Sequence, residues 1–147
     1  MSAGQAGSSV PLGQSVVIVD DEITLAVVMR VLVLEGWPDA RVSVFTEIRD
    51  LAPRLLEVPI GSVVLMDRRL GGVESYAMIA TLIQARPDVR VAMLSASLGS
   101  EEIRRARRAG AFVAHEKPAA LSEWPQMLAQ VVPPPLDPAA RSGPAVA

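Results

Sequence analysis

Cysteine is absent from this chain of 147 residues, and aromatic residues are scarce: two tryptophans, one tyrosine and two phenylalanines. Without cysteine the protein can form neither a disulfide framework nor a catalytic thiol. Because 50% of the residues are nonetheless hydrophobic, the core must be built from aliphatic side chains. One domain is the expected count at this length.

A strong charge imbalance is also missing, since the formal net charge is −2. That value gives no global electrostatic basis for binding nucleic acid or an anionic membrane. No apolar run approaches the ~20 residues that a membrane span needs. Residues 1–14 lack the charged segment and apolar core of a signal peptide. We therefore expect a cytoplasmic protein.

Three segments differ in composition. Residues 1–14 are rich in Gly, Ser and Ala and are predicted to form a flexible leader. Residues 133–147 begin with three prolines and are predicted to form a disordered Pro/Ala-rich tail or linker. The intervening residues 15–132 carry the periodic patterns of a folded domain.

Within that domain, short apolar runs alternate five times with helical patterns. The predicted strands cover residues 16–19, 41–45, 62–66, 89–94 and 111–114. This alternation predicts an α/β fold with helices on both faces of a parallel sheet. The flavodoxin-like, doubly wound strand order 2-1-3-4-5 is the common choice at this size.

The helical periodicity also predicts which residues face the core. Thr46 is expected to cap the second helix, and Pro53 is expected to make that helix irregular. The first helix is predicted to bury Ile23, Val27, Val31 and Leu34, and the last helix Leu121, Trp124, Leu128 and Val131.

Polar residues follow the predicted strands at one edge of the sheet. Asp20 and Asp21 follow the first strand, and Asp67 follows the third. Strands one and three are neighbours in the predicted order, so these three carboxylates should meet at the switch point. Three acids at one edge call for a cation, which points to a metal-dependent phosphoryl-acceptor site. Ser95 and Lys117 should lie at the same edge.

Four short segments together resemble the receiver domain of two-component response regulators. They are Val19–Glu22, Met66–Asp67, Leu94–Ala96 and Glu116–Pro118. Each is weak alone, but all four occur in order at predicted strand ends. The resemblance covers about residues 15–132.

The resemblance implies a role for each polar residue. Asp67 would be the phosphoacceptor. Mg²⁺ would be bound directly by Asp21, Asp67 and the backbone carbonyl of Arg69, with Asp20 acting mainly through a bound water. Lys117 and Ser95 would contact the phosphoryl oxygens, and the Lys117–Pro118 peptide is expected to be cis, as is usual in this family.

The resemblance also implies partners. A histidine kinase or a histidine phosphotransfer protein would donate the phosphoryl group, and the face formed by the fourth helix, fifth strand and fifth helix would bind a downstream protein or a second copy. Such a domain is a signalling module rather than a dedicated enzyme, and nothing indicates direct nucleic-acid binding. The fourth helix carries a basic cluster, which is either a solvated face or a partner surface: Arg104, Arg105, Arg107 and Arg108.

Two departures from the family pattern keep alternatives open. Ala114 stands where receivers typically carry an aromatic residue, and Gly71 follows Leu70 where a proline is usual, which predicts a more flexible loop. One alternative is a degenerate receiver that binds partners without phosphorylation. Another is a haloacid-dehalogenase-like phosphatase, although Arg69 stands where that family needs a second aspartate. The chain is either a stand-alone receiver or part of a longer regulator.

Overall fold

A parallel sheet of five strands forms the centre of the computed structural model, which describes residues 13–134. The strands are β1 (Ser15–Val19), β2 (Arg41–Phe45), β3 (Val63–Asp67), β6 (Arg90–Ser95) and β7 (Val113–Glu116). Their order is β2-β1-β3-β6-β7, and every pair is parallel. Counted over the parallel strands, this is the predicted order 2-1-3-4-5.

Within residues 13–134, five α-helices cover the two faces of the sheet. They are α1 (Ile23–Gly36), α2 (Leu51–Leu55), α3 (Tyr76–Ala85), α4 (Ser100–Ala109) and α5 (Trp124–Val131). Helices α1 and α5 pack on one face, and α2, α3 and α4 pack on the other. The predicted flavodoxin-like architecture with helices on both faces is therefore confirmed.

The central strands are buried on both faces, which explains their uninterrupted apolar sequence. Along β1, Val16 and Ile18 pack towards α1 and α5, whereas Val17 and Val19 pack towards the other helices. All four side chains are buried. The resulting core is aliphatic apart from a few aromatic rings, as the composition predicts.

The predicted buried face of α1 is wrong. Ile23, Val27 and Val31 are 64%, 54% and 48% exposed, and the helix instead buries Ala26, Met29 and Val33. Most residues of α1 are apolar, so several stripes at helical spacing compete for the core. Packing against the sheet and α5, rather than periodicity, decides which stripe is buried.

The second helix is shorter than predicted. It contains only five residues and begins after Asp50, which has a left-handed backbone with φ 57°. Thr46 lies upstream of this start and does not cap the helix, so that prediction is wrong. Pro53 lies in the first turn of this short helix, where its missing N–H has no intrahelical partner to lose, and the helix buries Leu51 and Leu55.

The last strand and helix are displaced from their predicted positions. Strand β7 begins at Val113, two residues later than predicted. Leu121 belongs to a 3₁₀ turn (Leu121–Glu123) and is 60% exposed, so its predicted burial is wrong. Trp124 and Leu128 are buried as predicted.

The segment after β3 forms a small antiparallel hairpin of β4 (Arg69–Leu70) and β5 (Val73–Glu74). Gly71 and Gly72 occupy its two-residue turn with φ values of 59° and 82°. Positive φ at both turn positions is the type I′ arrangement, which glycine adopts without steric cost. The segment predicted to be more flexible thus forms a regular two-residue hairpin in this structure.

Hydrogen bonds connect the residues that flank the predicted domain boundaries. The Gln14 side chain and the Trp37 indole both donate to the carbonyl of Pro133. Apart from residues 13–14 and 133–134, the predicted leader and tail lie outside the described residues. Within residues 13–134, no helix is both long enough and apolar enough to cross a bilayer.

Candidate functional site

The carboxyl ends of β1, β3 and β6 bring the predicted site residues to one edge. Asp20 directly follows β1, and Asp67 is the last residue of β3. The register pairs Val19 with Met66 and Asp67 with Leu94, so Ser95 lies one residue beyond Asp67's partner. Each residue reaches this edge because its strand ends there.

Lys117 joins two of the acids. Its Nζ atom lies 2.9 Å from Oδ2 of Asp20 and 3.3 Å from Oδ1 of Asp67. Asp20 is almost fully buried, at 2% exposure, and its other carboxylate oxygen accepts the backbone N–H of Glu22 at 2.9 Å. Lys117 thus compensates a buried carboxylate and also holds the ammonium group beside Asp67.

The two charge partners have shifted pKa values. Burial raises the pKa of Asp67, and the charge of Asp20 adds to that effect, while Lys117 and the Arg69 backbone oppose it. Burial lowers the pKa of Lys117 and is its largest single influence, but the hydrogen bond and charges of Asp20 and Asp67 together outweigh it and raise the pKa. The neighbouring Asp20 carboxylate disfavours the ionised form of Asp67, so a cation bound beside the two groups would stabilise that form.

Asp21 completes the acidic cluster at a more exposed position. Its Oδ2 atom accepts the backbone N–H of Gly71 at 2.7 Å, which ties the start of α1 to the β4–β5 turn. Asp20, Asp21 and Asp67 each offer a carboxylate oxygen, and these atoms lie within 4.8 Å of one another. Three carboxylates and one ammonium leave a formal charge of −2, and hard oxygen ligands at this spacing fit a divalent cation such as Mg²⁺.

The backbone carbonyl predicted to join the metal site belongs to Arg69 in β4. In the hairpin Arg69 faces Glu74, while the Ser75 N–H donates to the Arg68 carbonyl at 2.8 Å. Alternate residues of an antiparallel ladder bond to the partner strand, so the Arg69–Glu74 pair is a non-hydrogen-bonded one. The Arg69 carbonyl therefore faces away from β5, which is compatible with the predicted ligand role.

Ser95 lies at the predicted edge but bonds locally. Its hydroxyl donates to the Ser97 carbonyl at 2.9 Å, and its own carbonyl accepts the Lys117 N–H at 2.7 Å. The hydroxyl is thus the turn-forming group in this conformation. The predicted cis Lys117–Pro118 peptide is wrong, because residues 13–134 contain no cis peptide bond. The local β6–β7 pairing is satisfied with a trans bond.

Two contacts around Asp67 were not predicted from the sequence. The buried Ser75 hydroxyl donates to the Asp67 carbonyl at 2.9 Å and so closes the base of the hairpin. The Arg68 side chain is 15% exposed and lies 3.6 Å from a carboxylate oxygen of Glu102 in α4. Neither contact has a sequence signal, because each depends on a fold that brings distant residues together.

The basic cluster on α4 is partly neutralised. Arg104 and Arg108 both lie near Glu101, at 2.8 Å and 3.6 Å. Arg105 lies 3.2 Å from Glu74 of the hairpin, and its guanidinium stacks over the Tyr76 ring. These contacts favour the solvated-face interpretation for most of the cluster, with Arg105 acting as a link between α4 and the hairpin.

Ala114 lies in β7 and packs against the cluster formed by α2, α3 and α4. The structure therefore places a methyl group at the position where the resemblance to receiver domains implies an aromatic ring. Its register partner is Met93 of β6, a buried core residue. No aromatic side chain from this position can rotate between the core and the surface.

Comparison with known proteins identifies the fold. No family model and no curated protein matches the chain. Among solved structures, a signal receiver domain of a DNA-binding response regulator from Colwellia psychrerythraea 34H superposes with a TM-score of 0.69. It shares 18% identity and covers 80% of this chain and 96% of its own.

Further receiver structures align equally well. A response regulator from Thermotoga maritima has a TM-score of 0.67 and 22% identity, covering 82% of this chain and 98% of its own. A Burkholderia pseudomallei response regulator with a phosphorylated aspartic acid, calcium ion and citrate has a TM-score of 0.66 and 21% identity, covering 82% and 67%. The resemblance to receiver domains is therefore confirmed at the level of the fold.

Proposed function

We propose that this chain is a two-component signal receiver that accepts a phosphoryl group on Asp67. A histidine kinase or a histidine phosphotransfer protein would be the donor, and the cytoplasm the place of action. The observation that carries the proposal is the contact of one lysine with two carboxylates at the end of β3, with a third carboxylate beside them. The receiver fold, which the neighbours share, supports the same role.

The residues present can support the transfer. An Asp67 oxygen would attack the phosphorus atom while the bond from phosphorus to the donor's imidazole nitrogen breaks, and the displaced nitrogen would take up a proton. Lys117 already lies 3.3 Å from Asp67 and would pair with a phosphoryl oxygen. Ser95 would release the Ser97 carbonyl and donate its hydroxyl to another oxygen.

Asp21, Asp67 and the Arg69 carbonyl are the proposed direct ligands of Mg²⁺, and Asp20, whose two oxygens already bond to the Glu22 N–H and Lys117, would act mainly through a bound water. When bound, the cation would offset the negative charge of the acids and of the incoming phosphoryl group. The Burkholderia pseudomallei neighbour, which carries a phosphorylated aspartic acid and a calcium ion, is consistent with a divalent cation at such a site. The Gly71 N–H would keep Asp21 oriented through Oδ2. The other carboxylate oxygen of Asp21 would then be left for the cation.

Phosphorylation would change partner binding through the α4–β7–α5 face, with a downstream protein or a second copy as the partner. A beryllofluoride-activated NtrC4 receiver domain dimer is among the structural neighbours, which supports a second copy as one such partner. The chain would then act as a signalling domain whose only chemistry is its own phosphorylation and dephosphorylation. Phosphorylation would shift a pre-existing equilibrium between two conformations.

The decisive experiment is intact-mass spectrometry after incubation with acetyl phosphate and Mg²⁺. We expect the wild-type chain to gain one phosphoryl group, and EDTA to prevent the gain. Asp67→Asn should abolish labelling, because the amide nitrogen and neutral oxygen are poor nucleophiles. Asp39→Asn, an exposed loop change away from the site, should label like the wild type.

Unchanged labelling of Asp67→Asn would place the phosphoacceptor elsewhere. No labelling of the wild type, under conditions that label an established receiver, would favour the degenerate receiver, a binding module independent of phosphorylation. Ala114 is the observation that favours this second candidate, since the usual aromatic switch is missing. Turnover of a generic phosphate ester would instead support a phosphatase, although the required second aspartate is replaced by Arg69.

A further inference from the structure

An apolar groove lies between α1 and α5, at the end of the sheet opposite the acidic cluster. Its volume is about 570 Å³, within the range of about 300–1,000 Å³ that is usual for ligand pockets. The C-terminal end of α1 forms one wall and α5 forms the other, and Pro134 closes one side. The lining residues are Leu32, Glu35, Gly36, Trp37, Pro125, Ala129, Val132 and Pro134. We call this cavity the α1–α5 groove.

Two side chains hold the backbone where it enters the groove. The buried Trp37 indole donates to the Pro133 carbonyl at 2.7 Å. The Gln14 amide nitrogen donates to the same carbonyl at 2.8 Å and also to that of Pro134. An aromatic indole and an amide donating to successive prolyl carbonyls is the type of contact by which proline-rich segments are recognised.

The side-chain oxygen of Gln14 takes no part in these two hydrogen bonds. Its Oε1 atom is buried and has no hydrogen-bond partner among residues 13–134. The two bonded carbonyls set the orientation of the amide, because a flipped amide would point its oxygen at them. Burying an acceptor without a partner costs about 1–3 kcal/mol, so this atom calls for a donor.

The sequence supplies a backbone donor two residues after Pro134. Pro135 follows Pro134 and has no N–H, so the first backbone donor after the prolines belongs to Leu136. A proline-rich chain that stays extended advances about 3.1 Å per residue, which would place Leu136 within about 6 Å of Pro134.

We propose that the α1–α5 groove is the docking site for the segment 135–138 of this chain. The Leu136 side chain fills the apolar cavity, and its N–H donates to Oε1 of Gln14. The occupant is this segment rather than a free ligand because the covalent connection at Pro134 holds it at a high effective concentration. Segment 135–138 would then be part of the folded domain. It would also fix the direction in which the rest of the chain leaves the domain.

NMR spectroscopy of the isotope-labelled full chain tests this proposal. We expect nuclear Overhauser contacts from the Leu136 methyl groups to Leu32 and Val132, and a Leu136 amide as ordered as those of the sheet. Leu136→Asp should remove the contacts and shift the Trp37 indole signal. The matched change Val146→Asp, farther along the tail, should do neither.

Two further readouts keep the result specific. The Trp124 indole, which donates to Pro118 at 3.1 Å, is the internal control and should not move in either variant. Gln14→Ala should release Leu136 as Leu136→Asp does, while the sheet amides stay unchanged. This second variant tests the hydrogen bond rather than the apolar contact.

Three outcomes would overturn the proposal. The first is a Leu136 amide as mobile as that of Val146, together with an unchanged Trp37 signal in Leu136→Asp. The second is a Trp37 signal that responds to deletion of residues 1–12 but not to Leu136→Asp, which would make the leader the occupant. The third is a signal that depends on protein concentration, which would make a second copy the occupant.

Discussion

The two ends of the central sheet carry the same kinds of charged groups, but only one end balances them. At the carboxyl end, Lys117 faces Asp20 and Asp67, with Asp21 nearby, and negative charge is in excess. At the amino end, Arg86 pairs with Asp88 at 2.8 Å, one cation with one anion. The two ends differ in whether each charged group has enough partners of opposite charge.

At the amino end every strong donor of Arg86 is used. The guanidinium donates to the carbonyls of Leu56, Val58 and Pro59 and to both carboxylate oxygens of Asp88. Asp88 also accepts the Gly61 N–H at 2.9 Å. This closed network connects the loops before β3 and β6, and it leaves no capacity for a ligand.

At the carboxyl end the charges do not cancel. The acids outnumber the lysine, and the pKa of Asp67 is raised by burial and by Asp20. Excess charge of one sign costs stability, and folds usually retain it where a ligand or reaction needs it. We infer that the amino end is structural and that the carboxyl end is the functional one.

The largest expected effect comes from removing the lysine. Lys117→Met should cost about 3 kcal/mol of unfolding free energy, because it leaves the buried Asp20 carboxylate without its cation. Chemical denaturation at low salt without divalent cations measures this loss. Arg104→Met, which breaks an exposed ion pair with Glu101, is the matched control and should cost under about 1 kcal/mol.

The Lys117→Met variant also tests whether the acids at the carboxyl end bind a cation. If the acids bind Mg²⁺, added Mg²⁺ should stabilise Lys117→Met more than the wild type, since the formal charge of the cluster changes from −2 to −3. Equal denaturation midpoints for Lys117→Met and Arg104→Met would contradict the role of Lys117 in compensating the buried Asp20 carboxylate.

A smaller effect is expected at the closed end. Arg86→Ala should cost about 2 kcal/mol, because three backbone carbonyls lose their donor and Asp88 keeps only the Gly61 N–H. Arg30→Ala, on the exposed side of α1, should change stability by less than about 0.5 kcal/mol. Mg²⁺ should have the same effect on Arg86→Ala as on the wild type. A Mg²⁺ response that disappears with Arg86 would remove the distinction between the two ends.

The smallest effect concerns pH. The hydrogen bond from Arg86, followed by that from Gly61, holds the pKa of Asp88 well below its usual range. A depressed pKa means that the unfolded chain binds more protons, so the contribution of Asp88 is fully present above a pH of about 4 and is lost as the pH falls further.

Asp88→Asn should therefore reduce stability at pH 7, and the gap to the wild type should narrow between pH 4 and lower values. Thermal melts across this range measure the gap, with Asp39→Asn as the exposed control. A gap that widens on acidification would contradict the assigned role of Asp88.

Much of the site could be predicted because strand ends are visible in a sequence. A buried parallel strand appears as an apolar run, and Asp20 and Asp67 mark where two such runs end. The bonding of the site could not be predicted. That Lys117 lies closer to Asp20 than to Asp67, and that Ser95 bonds to Ser97, depend on side-chain orientations set by neighbouring loops.

The face of α1 illustrates the same limit within the core. Ile23, Val27 and Val31 have the spacing of a buried stripe, yet Ala26, Met29 and Val33 are the residues that contact the sheet and α5. A helix that is apolar on most sides satisfies several periodic patterns equally well. The choice among them is made by the partner surface.

Sequence alone determined the alternation of strands and helices, the parallel sheet and the edge at which the acids meet. Those features follow from local periodicity and from the rule that parallel strands end together. Tertiary structure decided the start of α2, the buried face of α1, the pairing of Lys117 and the hold of Gln14 and Trp37 on Pro133. Each of these depends on contacts between residues far apart in the chain, whose geometry exists only once the sheet and helices have packed.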